Sequence, residues 1–190
     1  MNDTELKGFL EFLKSAEQLK NTLRSGRTSD GREESTAEHT WRLCLMALIF
    51  EDYYPNLDIQ KLIEICIVHD LGEAIHGDIP AVEQGPDSDK GVEERKDLMA
   101  LIEPLPANTR EKILGLWDEY ESSLSEEALV AKALDKLETL IQHTQGKNPK
   151  DFDYEFNLSY GKEYTQKDTL ASMLRDLVDR ETARLAKEKK

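Results

Sequence analysis

Asp58-Ile59-Gln60-Lys61-Leu62-Ile63-Glu64-Ile65-Cys66-Ile67-Val68-His69-Asp70-Leu71-Gly72-Glu73 is the stretch on which the fold turns. Asp58 has the side chain of a helix N-cap, because its carboxylate can accept from the open N–H groups of a first turn. The residues after it are apolar on more than one helical face, which predicts a buried helix over 59–70. That helix ends by delivering His69 and Asp70 to the edge of the apolar interior. Two polar groups in such a place are costly to desolvate unless something pairs with them. A divalent metal is one such partner and a structural ion pair is another.

Outward from this helix, the pattern stays helical. Residues 4–19 place Leu6, Phe9, Leu10, Leu13 and Ala16 at helical spacing, an amphipathic helix. The Ser-, Gly- and Arg-bearing stretch 24–34 reads as loop. Ser35 and Glu38 form a capping-box pair. They open a helix through Trp41, Leu43, Leu45, Met46, Leu48, Ile49 and Phe50, apolar on most sides and so expected to be central. His39 lies in its first turn.

Beyond Asp70, Gly72, Gly77 and Pro80 mark irregular backbone or a short helical turn, and 81–89 reads as loop. A helix follows over about 88–103, with Val92, Arg95, Leu98, Met99 and Ile102 on one face, until Pro104 and Pro106 stop it. Residues 107–121 turn Ile113, Leu114, Trp117 and Tyr120 inward. Ser125-Glu126-Glu127 starts a helix with acidic residues at its positive end. It carries Asp135 and Glu138 within an apolar series and ends near Gly146. Residues 147–166 have no clean period and read as an ordered loop with short turns, before a last helix over 167–186. No strand pattern stands out. The expectation is an all-α protein: one helical domain over 1–190 of about seven helices, with its core over 19–145 and a C-terminal loop and helix over 147–188.

Bulk properties narrow the function. The protein has 190 residues and a net charge of -14, which argues against general nucleic-acid binding, since that draws on phosphate neutralisation. No apolar run approaches the roughly 20 residues of a membrane span, and the N-terminus lacks the basic start and apolar stretch of a signal peptide. The two cysteines, Cys44 and Cys66, sit in apolar helical patterns and read as core residues of a reducing compartment, with the cytoplasm as the default location. A local exception to the acidity is Lys20, Arg24, Arg27 and Arg32 around a single Asp30. This is either a solvated basic loop or an anion clamp.

His39, His69, Asp70 and Asp135 sit on separate helices, or at helix ends, that must pack together. Imidazole and carboxylate ligands suit a divalent Mn, Co, Fe, Ni, Zn or Mg ion. No cysteine takes part, against a structural zinc site. The runs Thr36-Ala37-Glu38-His39, His69 through Pro80, and Ala133-Leu134-Asp135-Lys136-Leu137-Glu138 resemble the HD-domain metal-dependent phosphohydrolases, in particular the bacterial 5'-deoxynucleotidase and its relatives. The likeness extends from about Leu19 to Glu138.

The resemblance implies that His39, His69, Asp70 and Asp135 hold one divalent metal. It implies that Glu73 assists water activation or leaving-group protonation and that Asp78 is a second active-site carboxylate. It implies that Arg24 contacts the substrate, a small phosphorylated molecule of nucleotide type, and that the protein is a homodimer. The function expected is phosphate removal from nucleoside or deoxynucleoside 5'-monophosphates. The alternatives are another HD hydrolase acting on a phosphodiester or alarmone pyrophosphate, and a silent nucleotide- or metal-binding module. One position departs: Ser25 stands where the deoxynucleotidase has a tryptophan that selects against the ribose 2'-hydroxyl. Trp41 and the segment Phe152-Tyr154-Phe156-Tyr160 could line a base pocket or serve as packing. His76 and His143 read as surface or core residues, and Lys136 and Glu138 as local pairing groups.

Overall fold

A computed structural model describes residues 2–79 and 90–188. The expected loop 81–89, the role of Pro80 and the start of the helix expected at 88 lie outside the described residues. The described residues are mostly helical: α1 (Asp3–Ala16), α2 (Thr36–Ile49), α3 (Ile59–Val68), α4 (Glu73–His76), α5 (Lys90–Leu101), α6 (Ala107–Ser122), α7 (Glu126–Gln145), α8 (Tyr154–Asn157), α9 (Lys162–Thr165) and α10 (Thr169–Glu188). Among them, seven have ten residues or more; α4, α8 and α9 are single turns of four. No helix among the described residues is long and apolar enough to cross a membrane.

The caps form as their residue types dictate. Asp58 accepts from the Lys61 N–H at 3.0 Å, and Ser125 from the Ala128 N–H at 3.1 Å. Ser35 and Glu38 make the reciprocal capping box that starts α2. This cap sets the register of the first turn, and with it the direction of His39.

α7, not α2, is the central helix. It is buried on most sides and packs against α2, α3, α6, α9 and α10. α2 buries Leu43, Met46 and Ala47 but leaves Trp41, Leu45, Leu48 and Ile49 exposed, with Trp41 at 66 %. Similarly, α1 packs through Gly8, Phe9 and Phe12 while Leu6, Leu10 and Leu13 face outward. On α5 the buried positions are Leu98 and Leu101, followed by Ile102; Val92 and Met99 are exposed. In each case periodicity found apolar residues but not the neighbour that covers them. An apolar position gains its roughly 25 cal/mol per Å² only where a partner removes it from water.

Two apolar clusters meet at α3. Leu62, Ile65 and Cys66 join Leu43, Leu134 and Leu137 in one, and Val68 with Leu71 joins Leu98, Ile102 and Trp117 in the other. Cys44 and Cys66 are both free thiols, packed in or against the first cluster. His69 and Asp70 therefore emerge at the seam. Tight turns follow, with Leu71 N–H to Val68 C=O at 3.1 Å and Glu73 N–H to Asp70 C=O at 3.1 Å. Gly72 is required here: a Cβ at this position would lie 2.5 Å from the Glu94 carbonyl oxygen of α5.

The stretch expected to be loop contains a hairpin. β1 (Leu23–Arg27) pairs antiparallel with β2 (Glu33–Ser35) across an irregular register. Its strands are short and mostly polar, so no alternation betrays it. The hairpin is held from outside, by the C-terminal end of α7. Gln142 Nε2 donates to the Arg27 C=O at 2.5 Å, and any Cβ on Gly146 would fall 1.9 Å from that same oxygen.

Candidate active site

The first turn of α2, the end of α3 and the middle of α7 bring His39, His69, Asp70 and Asp135 together. His39 Nε2 lies 3.1 Å from Asp135 Oδ1 and 3.8 Å from Asp70 Oδ2. His69 Nε2 lies 3.1 Å from Asp70 Oδ2 and 4.0 Å from Asp135 Oδ1. Donors about 2.1 Å from one ion stand about 3 Å apart when adjacent in an octahedron and about 4.2 Å when opposite, and these separations fall in that range. Donor atoms of His39, His69 and Asp70 all lie within 4.8 Å of one another.

The hydrogen bonds around the two rings decide which nitrogens are offered. His39 Nδ1 meets Glu138 Oε2, and His69 Nδ1 meets the Cys66 carbonyl oxygen at 2.8 Å. With those partners each Nδ1 carries the proton, so each Nε2 presents a lone pair. Both Nε2 atoms are buried, and neither has a hydrogen-bond partner among the described residues. Two such nitrogens beside two carboxylates fit a divalent cation, which would repay their burial.

The carboxylates are oriented as well. Asp135 Oδ2 accepts from Tyr120 O–H at 2.7 Å and from Lys136 Nζ at 2.8 Å, which leaves Oδ1 on the histidine side. Glu138, fully buried, also takes Arg42 Nε at 2.6 Å, and Arg42 Nη2 reaches Gln142 Oε1 at 2.6 Å. Glu34, His39 and Glu138 form another close acidic set. That set already has a cation, since Arg42 Nη2 stands 2.5 Å from Glu138 and 3.8 Å from Glu34. Burial, then the Glu138 charge, pushes Glu34 up to about 7.

Around this centre lies a cleft of about 970 Å³. Glu73 and Asp78 line it. Glu73 Oε2 accepts from Thr36 O–H at 3.1 Å, and Oε1 lies 3.6 Å from Lys90 Nζ. Burial first, then the charges of Asp70 and Asp78, push the Glu73 carboxyl up to about 9. It can therefore hold a proton at neutral pH. Lys90 also stands 3.7 Å from Asp78 Oδ1. Sequence reasoning passed over Lys90, which had no motif to mark it; only the packing of α5 on α4 brings it here.

Arg24 reaches the centre from the hairpin. It donates to Asp70 Oδ2 at 3.2 Å and to Thr139 Oγ1 at 3.3 Å, with its side chain mostly buried. The other arginines of that stretch are occupied elsewhere. Arg27 faces the Gly31 C=O and Glu33, and Arg32 faces Glu38. Of the three arginines in that stretch, Arg24 is the one that reaches the centre.

The cleft is also lined by Ser25, His143, Phe152, Phe156, Asn157 and Tyr160. The aromatic segment divides. Tyr154 lies outside the lining and accepts a hydrogen bond from Asn148 at 3.1 Å. Trp41 is not part of the cleft and stands exposed on α2. His76 is an exposed partner of Asp97, at 2.5 Å, and His143 is buried.

The HD domain family model matches residues 16–175. The mouse protein 5'-deoxynucleotidase HDDC2 is 34% identical over 140 residues, covering 73% of this chain and 69% of its own. The 5'-deoxynucleotidase hdd1 of Schizosaccharomyces pombe is 30% identical over 172 residues, covering 87% and 82%. Among solved structures, a predicted metal-dependent phosphohydrolase from Magnetospirillum magnetotacticum superposes with a TM-score of 0.79. It is 26% identical and covers 97% of this chain and 96% of that one.

Proposed function

Because the chain belongs to the HD domain family, we propose that it is a metal-dependent phosphomonoesterase that removes the phosphate from 2'-deoxynucleoside 5'-monophosphates. The observation that carries this reading is the pair of buried, unpartnered Nε2 atoms facing Asp70 and Asp135, with Arg24 beside them. His39, His69, Asp70 and Asp135 are the residues that would hold one divalent ion, drawn from Mn, Co, Fe, Ni, Zn or Mg. Such an ion lowers the pKa of water and withdraws charge from a phosphoryl oxygen.

The protein's own groups divide the remaining work. Arg24 binds the phosphate, where its planar fork can meet two oxygens in place of Asp70 and Thr139. Glu73 gives its proton to the departing 5'-oxygen as the P–O bond breaks. Asp78 accepts the proton that the attacking water loses, and Lys90 holds the two carboxylates on one side of the cleft. Thr36 fixes the Glu73 carboxyl in place.

Residues 1–190 are read as one HD domain, a reading supported by the packing of α10 on α7. It is placed in the cytoplasm, on the strength of two free thiols in or against the core. It is read as a homodimer, supported by the exposed Trp41, Leu48 and Ile49 of α2, an apolar row suited to a second copy. The deciding experiment screens phosphate release from deoxynucleoside and ribonucleoside 5'-monophosphates with each metal. Turnover with wild-type protein and none with Asp70→Ala or Asp135→Ala is the expected result. Absence of turnover with every metal would overturn the reading.

A further inference from the structure

Asn157 is 1 % exposed, lines the cleft, and holds an amide nitrogen that nothing among the described residues uses. Its Oδ1 meets His143 Nδ1 at 3.2 Å, and its backbone carbonyl oxygen accepts from Arg175 Nη2 at 2.8 Å. Its Nδ2 is buried without a hydrogen-bond partner. An unmet donor in such a place costs free energy comparable to a lost hydrogen bond. Turning the amide would only leave its oxygen, in place of its nitrogen, without a partner. Burial keeps that imidazole neutral, its pKa held down to about 4, so the amide meets an uncharged ring.

The surroundings suit a flat ring. Phe152 and Phe156 line the same cleft as Asn157 and are only half-buried. Phe152 stands edge-on to His143 with ring centres 4.8 Å apart, which fixes its orientation. Aromatic faces stack bases of any sequence, and a nearby amide adds discrimination. These residues line the same cleft of about 970 Å³ as His69 and Asp70, far more space than a phosphate group fills.

We propose that this part of the cleft is a nucleobase subsite, in which the Asn157 amide donates to a carbonyl or ring-nitrogen acceptor of the base while Phe152 and Phe156 flank the ring. The inference rests on the phosphomonoesterase reading only in taking the base and the phosphate to belong to one substrate. Asn157 is then a specificity-determining residue and has no part in breaking the ester.

The test compares ligands with and without the base. Equilibrium binding of 2'-deoxynucleosides and of 2-deoxyribose 5-phosphate is measured on the wild-type protein and on Asn157→Ala and Phe152→Ala, each first checked for a native melting transition. Nucleoside affinity should fall about tenfold in either variant, while that of 2-deoxyribose 5-phosphate stays within twofold. In turnover, KM for deoxynucleotides should rise with kcat unchanged. Equal losses for both ligands, or no loss for either, overturn the subsite. A measurement on wild-type protein alone guards against misfolded variants: KM for 2-deoxyribose 5-phosphate should be at least tenfold above that of the deoxynucleotides, and equal values overturn the proposal. If no phosphate ester is turned over, the nucleoside-binding arm still decides the subsite, so the two readings fail separately.

Discussion

Glu138 holds the Nδ1 side of His39, while Nε2 of the same ring faces Asp135 Oδ1 at 3.1 Å. The two residues are 99 positions apart in the sequence. The contact makes Glu138 a positioning residue: it sets the tautomer of a ring whose other nitrogen is offered to the centre. Glu138→Gln keeps the volume and removes the charge. Metal affinity, measured by calorimetry and by bound-metal analysis, should fall by about 10–100-fold, with the fold retained. An unchanged affinity would show that the contact is only packing.

Metal removal gives a second expectation. An ion held at 100 times its Kd stabilises the folded state by about 2.7 kcal/mol. At about 2–4 °C per kcal/mol for a protein of this size, chelation should lower the wild-type Tm by roughly 5–11 °C. Asp135→Asn should melt at the same temperature with and without chelator. A chelator-sensitive Asp135→Asn protein would place the ion elsewhere.

Arg24 and Arg27 sit on the same strand and should behave differently. Arg24 points at Asp70 and Thr139, and Arg27 at Gly31 and Glu33. Hydrogen bonds to charged groups contribute about 1.5–3 kcal/mol. Arg24→Ala should thus lower kcat/KM by roughly 10–100-fold. Arg27→Ala should stay within about threefold of wild type, as is usual for exposed pairs. Equal effects in steady-state assays would remove Arg24 from the phosphate site.

His143 sets a pH limit on stability. Burial lowers its pKa from 6.5 to about 4, with the Asn157 hydrogen bond opposing. The unfolded state therefore takes up this proton first as the pH falls. The folded state keeps its full advantage above pH 6.5 and loses about 3 kcal/mol, at 1.36 kcal/mol per pH unit, by pH 4. Urea melts across that window, compared with His143→Gln, should show a shallower acid loss in the variant. Matching curves would mean that His143 titrates normally, and an NMR titration of its ring would confirm that directly.

Much of the fold was legible because local rules govern it. Asp58, Ser35 with Glu38, and Ser125 start helices through contacts three residues long, so a reading of neighbours suffices. The hairpin escaped because its strands are short and mostly polar and its register is secured by Gln142 and Gly146 of a distant helix. The central place went to α7 rather than α2 for a related reason. Both sequences are apolar, and only packing shows that Trp41 and Leu48 stay exposed among the described residues.

By itself the sequence determined the helical class, the placement of His69-Asp70 at the end of a buried helix, and the chemical types of the residues that converge there. These follow from the chemistry of the side groups and from spacings of three and four residues. Only the tertiary structure decided that Nε2 rather than Nδ1 of His39 faces the centre, because Glu138 claims the other nitrogen. It also decided that Arg24, and neither Arg27 nor Arg32, reaches in, that Lys90 stands between Glu73 and Asp78, and that Asn157 keeps an unspent donor in the cleft. Those outcomes depend on which surfaces meet across long stretches of sequence, and helical periodicity carries no information about distant partners.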